Sequence, residues 1–239
     1  QIIDAVKDSS KNNGDGLIQA GEDIDLLVLV KNIGDGIAEK SVVTVRNLSN
    51  KDIFMKNGRV ETGPVNPGET KEVNLSFIVK ESVSSDKFTM DMLISDTIFG
   101  TFLSNKLNFP IAGGRPKITM TPGFFKINKN HTPLYGGMSF DSPVVSMMGE
   151  GAIVQSDARN TDWYRVMLPN NRYGWVAKKA VVGINIANYK PGALEPFIQR
   201  VPPTITLSKS LSSILVGNEQ LSLSVVIDDD VFIKHAYIL

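Results

Sequence analysis

The sequence predicts an all-β protein with three parts: a β-sandwich, a small barrel and the beginning of a second sandwich. Short segments alternate apolar and polar residues and are separated by turns rich in Gly, Asn, Asp and Pro. No segment has the apolar period of a helix. Both tryptophans and two of the five tyrosines lie in the short stretch Asp162–Val176, which indicates one compact aromatic unit.

The composition excludes several classes of function. The 239 residues include 25 basic and 25 acidic side chains, so we predict no nucleic-acid partner. The longest fully apolar run is Leu26–Val30, far short of the roughly 20 residues that a membrane span needs. The absence of cysteine removes disulfides and thiolate sites. Because the chain starts at Gln1 and stops in an apolar run, we expect a fragment of a longer polypeptide.

Residues 1–112 predict an immunoglobulin-like sandwich of seven or eight strands. Asp23–Asn32 is apolar on both faces, as in a central strand. Lys71–Lys80 and Phe88–Ile94 alternate strictly enough to assign one inward face to each. The predicted inward residues are Val73, Leu75, Phe77 and Val79 in the first, and Phe88, Met90, Met92 and Ile94 in the second.

The turns of this region carry a resemblance to a known family. Gly21-Glu22 precedes the first long strand, Asn32-Ile-Gly34 ends it, and Pro67-Gly-Glu69 precedes a later one. In this the chain resembles the bacterial immunoglobulin-like adhesion-type domains. Because the shared motifs are turn residues, the resemblance implies a fold more than an activity.

The loop before the first long strand partly matches a calcium-binding loop. Asn13, Asp15 and Glu22 fall at positions 3, 5 and 12 of that template, but position 1 is Lys11, whose ammonium would repel the ion. Asp8 is the candidate replacement ligand. The alternative is a loop of turn-forming residues in which Glu22 caps backbone amides.

Residues 112–116 form a break, flexible at the two glycines and stiffened by Pro116. Residues 117–184 then predict a small barrel of short strands. Here the chain resembles the bacterial Src-homology-3-like domain. The matching segments are Pro133–Tyr135, Ser142–Val145, Met148–Gly151 with Ile153, Trp163–Val166, Gly174–Val176 and Ala180–Val182.

The C-terminal part predicts a spacer and an incomplete sandwich. Residues 185–203 contain four prolines, as linkers do. Residues 204–239 predict strands at Thr204–Leu207, Leu221–Ile227 and Val231–Leu239, with an acidic turn at Asp228–Asp230. Three strands make less than half a sandwich.

The aromatic residues of the barrel permit two interpretations. Trp163 is predicted to be core. Tyr135, Tyr164, Tyr173 and Trp175 either pack within and between domains, or line a groove for an extended or proline-rich peptide.

The sequence contains no recognisable catalytic motif. The two histidines, His131 and His235, lie in different predicted domains, and no Gly-x-Ser-x-Gly or His-Glu-x-x-His segment occurs. We therefore predict that this chain is not itself an enzyme.

The order of the domains resembles the region after the catalytic domain in some bacterial carboxyl-terminal processing (tail-specific) proteases. That resemblance implies a periplasmic or extracellular protein with an upstream Ser–Lys protease domain. It also implies an accessory role here: binding a peptide or protein segment, or assembly. The alternative is a module that targets another secreted protein to peptidoglycan, or a structural module.

Overall fold

The computed structural model describes residues 2–3, 12–49, 51–169, 172–186, 194, 204–207 and 225–228. The protein is all-β, as predicted. Within these ranges the one helical segment is a 3-10 turn at Lys178–Ala180, and no helix has the length and apolarity to cross a membrane. The chain forms two compact units, residues 1–195 and 196–239.

Two four-stranded antiparallel sheets pack face to face in the first part of the chain. We call this pair of sheets the sandwich. Its strands are β1 (Ile2–Ile3), β2 (Asp23–Lys31), β3 (Ala38–Asn47), β4 (Ile53–Asn57), β5 (Arg59–Val65), β6 (Thr70–Val79), β7 (Lys87–Asp96) and β8 (Thr101–Pro110). One of its sheets has the order β1-β2-β6-β4, and the facing sheet has the order β5-β3-β7-β8.

The core of the sandwich confirms the predicted inward faces. The four predicted inward residues of β6 and the first two of β7 are buried, and Met92 and Ile94 pack against the same cluster. Phe88 lies between Phe77 and Phe109, with ring centroids 5.6 and 5.2 Å away. Alternation alone identified these residues because one face of each strand is sealed by the opposite sheet.

A seven-stranded antiparallel sheet follows, and we call it the second sheet. Its strands are β9 (Thr119–Ile127), β10 (Thr132–Tyr135), β11 (Val144–Met148), β12 (Ile153–Arg159), β13 (Trp163–Leu168), β14 (Arg172–Ala177) and β15 (Val181–Ile184). Their order in the sheet is β11-β10-β14-β13-β12-β9-β15.

The break at residues 112–116 is held in place by hydrogen bonds. The backbone N–H of Ala112 donates to Ile18 at 2.7 Å, and the Gln19 side chain donates to the Gly114 carbonyl at 3.0 Å. Arg115 donates to the Ala20 carbonyl at 3.1 Å. The sandwich and the second sheet consequently belong to one compact unit, and the predicted flexible link is pinned to the loop before β2.

In the second compact unit, β16 (Thr204–Leu207) pairs with β17 (Val225–Asp228) in antiparallel register. Asp228 ends a strand and pairs with Thr204, whereas the sequence placed it in the acidic turn. The predicted strand at Val231–Leu239 and most of the predicted linker at residues 185–203 lie outside the described residues.

Candidate functional site

Two loops bring the sandwich and the second sheet together. One is Asn12–Glu22, before β2, and the other is Gly136–Pro143, between β10 and β11. The backbone N–H of Met138 donates to the carbonyl of Asp15 at 3.0 Å. We refer to the region around this contact as the junction.

The junction requires two glycines. A Cβ atom on Gly16 would lie 2.0 Å from the Gly136 carbonyl oxygen, and one on Gly137 would lie 2.3 Å from the Gly16 carbonyl oxygen. Gly16 also has φ = +71°, a left-handed conformation that favours glycine. The two backbones therefore approach more closely than any side chain would allow.

A hydrogen-bond network organises the 12–22 loop from inside. The carboxylate of Asp15 is buried and accepts from the side-chain amides of Asn13 and Gln19 at 2.9 and 2.6 Å. It also accepts from the backbone N–H of Leu17 at 2.7 Å. Burial raises the pKa of Asp15, although these hydrogen bonds and Arg115 act in the opposite direction.

Glu22 closes the other end of the loop. Its side chain is fully buried, and Oε2 accepts the backbone N–H of Gln19 at 2.8 Å. This is the amide capping that the sequence offered as the alternative to calcium binding. The loop therefore reaches the junction with a fixed shape.

The structure brings three of the four predicted calcium ligands into one loop. Asn13, Asp15 and Glu22 belong to it, whereas Asp8 lies outside the described residues. In the described part of the chain, no three His, Cys, Asp or Glu side chains form a group that could hold a metal ion. The Asp15 carboxylate is instead engaged by amide donors, so calcium binding stays a prediction.

Calcium removal tests that prediction directly. If the loop holds an ion, EDTA will lower the melting temperature, because an ion bound only by the folded state stabilises it by mass action. Differential scanning calorimetry in 1 mM calcium and in EDTA measures the difference. An unchanged melting temperature would assign the loop to amide capping alone.

Arg165 is a buried cation at the junction. Its guanidinium makes two hydrogen bonds to the Asp157 carboxylate, at 2.9 and 2.8 Å. A further donor, Nη1, lies 3.3 Å from the carbonyl oxygen of Gly14 in the 12–22 loop. The guanidinium also lies over the ring of Tyr173, 4.4 Å from its centroid. Arg165 thus ties the second sheet to the sandwich.

The four aromatic residues predicted as a groove do not line one surface. Trp175 is fully buried and Tyr135 nearly so, in a cluster with Trp163. Tyr164 packs on the other side of the sheet against Phe125, with ring centroids 4.0 Å apart. For Tyr135 and Trp175, the structure therefore shows packing within the protein, one of the two interpretations that the sequence offered.

The opposite faces follow from strand register. Trp175 pairs with Arg165, and Tyr173 pairs with Met167, so these four residues share the face of the sheet that meets the junction. Tyr164 pairs with Val176 on the other face. Neighbouring residues of a strand point in opposite directions, which separates Tyr164 from the rest.

Sequence reasoning missed the role of Arg165 and the contact between the two junction glycines. The sequence did contain a signal for Arg165. Arg165 is two positions from both Trp163 and Met167 in β13, so the three residues share one face, and a charged residue is unexpected on a face with a tryptophan. Gly136-Gly137 also looked like an ordinary turn. Their close approach to Gly16 depends on residues 120 positions apart in the chain.

A cavity of about 460 Å³ lies beside the junction. Its volume falls within the roughly 300–1,000 Å³ of ligand sites. Strand β8, the 12–22 loop and the 136–143 loop all contribute to its wall, which is mainly apolar. Representative lining residues are Ile18, Leu107, Phe109, Asp141 and Pro143.

In comparisons with protein-family models and with curated proteins, this chain matches none. Function is therefore inferred from the geometry of the junction and of the cavity beside it.

Proposed function

We propose that this chain is a non-catalytic region that binds a segment of another polypeptide. The observation that carries the proposal is the cavity beside the junction, which the sandwich and the second sheet build together. Backbone hydrogen bonds from Met138 to Asp15 and from Ala112 to Ile18, together with the Arg165–Gly14 hydrogen bond, hold in place the loops that form its walls. A cavity with fixed walls loses little conformational freedom when it is filled, which favours binding.

The chemistry of the wall favours an apolar side chain from a polypeptide. Ile18, Leu107, Phe109 and Pro143 supply apolar surface. Lys106 and Asp141 add one charge of each sign to the lining. A mainly apolar pocket with a few polar groups suits a ligand that is apolar at one point and polar beside it, as a peptide is.

We extend the proposal to the kind of protein that contains this region. We infer that the region belongs to an exported bacterial processing protease of the tail-specific type, acting in the periplasm or outside the cell. In that setting this chain holds or orients a substrate or assembly partner, and an upstream serine-type domain carries out the reaction. The support is the resemblance in domain order together with the cavity.

Blocking the cavity tests the proposal. Asp141→Trp places an indole at an exposed position of the lining and is expected to weaken binding of alkylated, permanently unfolded casein at least tenfold. Glu150→Trp is the matched control, because Glu150 is another exposed acidic loop residue of the second sheet and does not line the cavity. Fluorescence anisotropy of labelled casein measures both dissociation constants.

The cell wall provides the opposing outcome. If the protein sediments with purified peptidoglycan sacculi and does not bind casein, the region is a wall-targeting module and the proposal is wrong. Equal casein affinity in the two tryptophan variants would separate binding from the cavity and would also contradict the proposal.

A further inference from the structure

The hairpin between β7 and β8 carries exposed apolar side chains at its turn. Asp96, the last residue of β7, pairs with Thr101, the first residue of β8. Four large apolar side chains at this turn are 60–75% exposed, and we call them the apolar tip: Ile98, Phe99, Phe102 and Leu103. No charged residue occurs from position 97 to position 105. A contiguous exposed apolar group, unlike a single exposed residue, marks a surface that meets a partner or a membrane.

The loop between β2 and β3 brings further apolar side chains to the same end of the sandwich. The N–H of Thr97 donates to the Lys40 carbonyl at 3.1 Å, so the start of β3 adjoins the hairpin turn. Ile33 and Ile37, which precede β3, are 90% and 44% exposed. Because β2 runs from the 12–22 loop to this loop, the apolar end of the sandwich is the end opposite the junction.

The hairpin turn satisfies its own backbone donors. The Asp96 carboxylate oxygen Oδ1 accepts the N–H of Ile98 at 2.9 Å and the N–H of Phe99 at 3.0 Å. The Asp96 carbonyl oxygen accepts the N–H of Gly100 at 3.0 Å. Gly100 has φ = +67°, the left-handed conformation that lets the chain turn back here. The three N–H groups of the turn therefore need no acceptor from outside the protein.

Two properties of the apolar tip favour lipid over a protein partner. Acyl chains offer no hydrogen-bond acceptor, so a turn that enters them must satisfy its own N–H groups, as this turn does. A protein partner supplies acceptors and makes no such demand. The tip also consists of Phe, Ile and Leu, which transfer favourably into lipid. It contains none of the Trp, Tyr and Arg side chains that dominate the energetics of protein interfaces.

The shape of the tip favours lipid over a second copy of this chain. Ile33 and the four tip residues are 60–90% exposed, so their side chains stand out from the surface and do not line a hollow. Protein interfaces need close shape complementarity, and two convex tips that meet head to head touch only at their crests. Fluid acyl chains close around a projecting side chain and need no matching surface.

We infer that the apolar tip inserts into one face of a lipid bilayer and holds this chain at a membrane surface. Ile98 and Phe99 enter furthest, because they form the turn itself. Asp35, which is exposed between Ile33 and Ile37, limits the depth, since a carboxylate is costly among acyl chains. The uncharged hairpin turn needs no anionic headgroup, so burial of apolar surface drives the insertion. This inference goes beyond the proposed function and does not depend on it.

Membrane insertion leaves the cavity open to its own ligand. Strand β8 starts at the hairpin turn with Thr101, and Leu107 and Phe109 near its other end line the cavity. Ten extended residues span roughly 30 Å, so the cavity lies well outside the headgroups when β8 is aligned with the bilayer normal. None of the four tip residues lines the cavity. The chain can therefore hold a polypeptide while the tip is in the bilayer.

Vesicle binding tests the inference. The full chain is sedimented with sucrose-loaded phosphatidylcholine vesicles, and the protein left in the supernatant gives the partition coefficient. Phe99→Asp is expected to weaken binding at least tenfold, because a carboxylate replaces an inserted ring. Phe54→Asp is the matched control and should bind within twofold of wild type. Phe54 is 60% exposed, and its partner Ile78 also pairs with Asp23 at the start of β2, so it lies at the other end of the sandwich.

Tryptophan at the same two positions reports where the membrane contact lies. In phosphatidylcholine vesicles with brominated acyl chains, Phe99→Trp is expected to lose fluorescence, because bromine quenches an indole that it touches. Phe54→Trp is expected to keep its fluorescence. The native Trp163 and Trp175 are 6% and 0% exposed, so they contribute the same unquenched background to both variants.

Several outcomes would overturn the inference. A wild-type chain that stays in the supernatant, or that binds only vesicles containing phosphatidylglycerol and is released by salt, does not insert an apolar tip. Equal losses in Phe99→Asp and Phe54→Asp, or equal quenching of the two tryptophan variants, would place the membrane contact elsewhere. An assembly in size-exclusion chromatography that Phe99→Asp dissociates, without vesicle binding, would give the tip to a second copy. Phe99→Asp is expected to bind casein as wild type does, and a loss would contradict the independence of tip and cavity.

Discussion

Gly16→Ala is expected to destabilise the sandwich–second sheet junction by about 2–5 kcal/mol. Roughly 1–2 kcal/mol comes from placing an L side chain at φ = +71°. A further 1–3 kcal/mol comes from overpacking, because the new Cβ would meet the backbone of Gly136 and Gly137 at 2.0 and 2.6 Å. Backbone cannot rotate away as a flexible side chain can, so the two loops must separate.

The expected signature is a loss of cooperativity. Calorimetry should show a single unfolding transition for residues 1–195 of the wild-type chain. For Gly16→Ala we expect two transitions, because the sandwich and the second sheet then unfold separately. Gly36→Ala is the matched control, since Gly36 lies in an exposed turn where an added Cβ meets nothing within 4 Å. A Gly16→Ala protein that melts as wild type does would refute the close contact.

Trp175→Ala is expected to cost about 3–5 kcal/mol of folding free energy, the range for deleting a large buried aromatic side chain. Trp175 is fully buried with Tyr135, Met138 and Trp163. Its removal leaves a cavity on the face that carries Arg165, which lies 5.9 Å from the Trp175 ring. Urea denaturation measures the loss.

Met167→Ala provides the comparison for Trp175→Ala. Met167 lies in β13 on the same face of the second sheet as Trp175 but is 46% exposed, so we expect a loss of less than about 1 kcal/mol. A Trp175→Ala protein of unchanged stability that no longer binds casein would return Trp175 to the ligand groove.

The sandwich was predictable because its strands have one buried and one solvated face. Leu75 and Phe77 alternate with Asn74 and Ser76, and that period of two is the strand pattern itself. Turn residues such as Pro67-Gly68 marked the ends of strands for the same local reason: Gly68 has φ = +77°. The C-terminal strand pair was also predicted in part, but Asp228 belongs to the strand and not to the predicted acidic turn.

The candidate site was only partly predictable. The sequence singled out the 12–22 loop through Asn13, Asp15 and Glu22, and it singled out the aromatic stretch through Trp175. For the loop it offered calcium binding or amide capping, and for the aromatic stretch it offered a peptide groove or packing within the protein. In the structure the loop and the aromatic face meet each other across Arg165 and Gly14.

The sequence alone determined the all-β class, the strand faces and the unusual character of two segments, because each depends on residues within a few positions of one another. Tertiary structure alone decided that those segments form a junction, that Gly16 contacts Gly137, and that a cavity opens beside β8. These features join residues more than 100 positions apart, and no local pattern encodes such a distance.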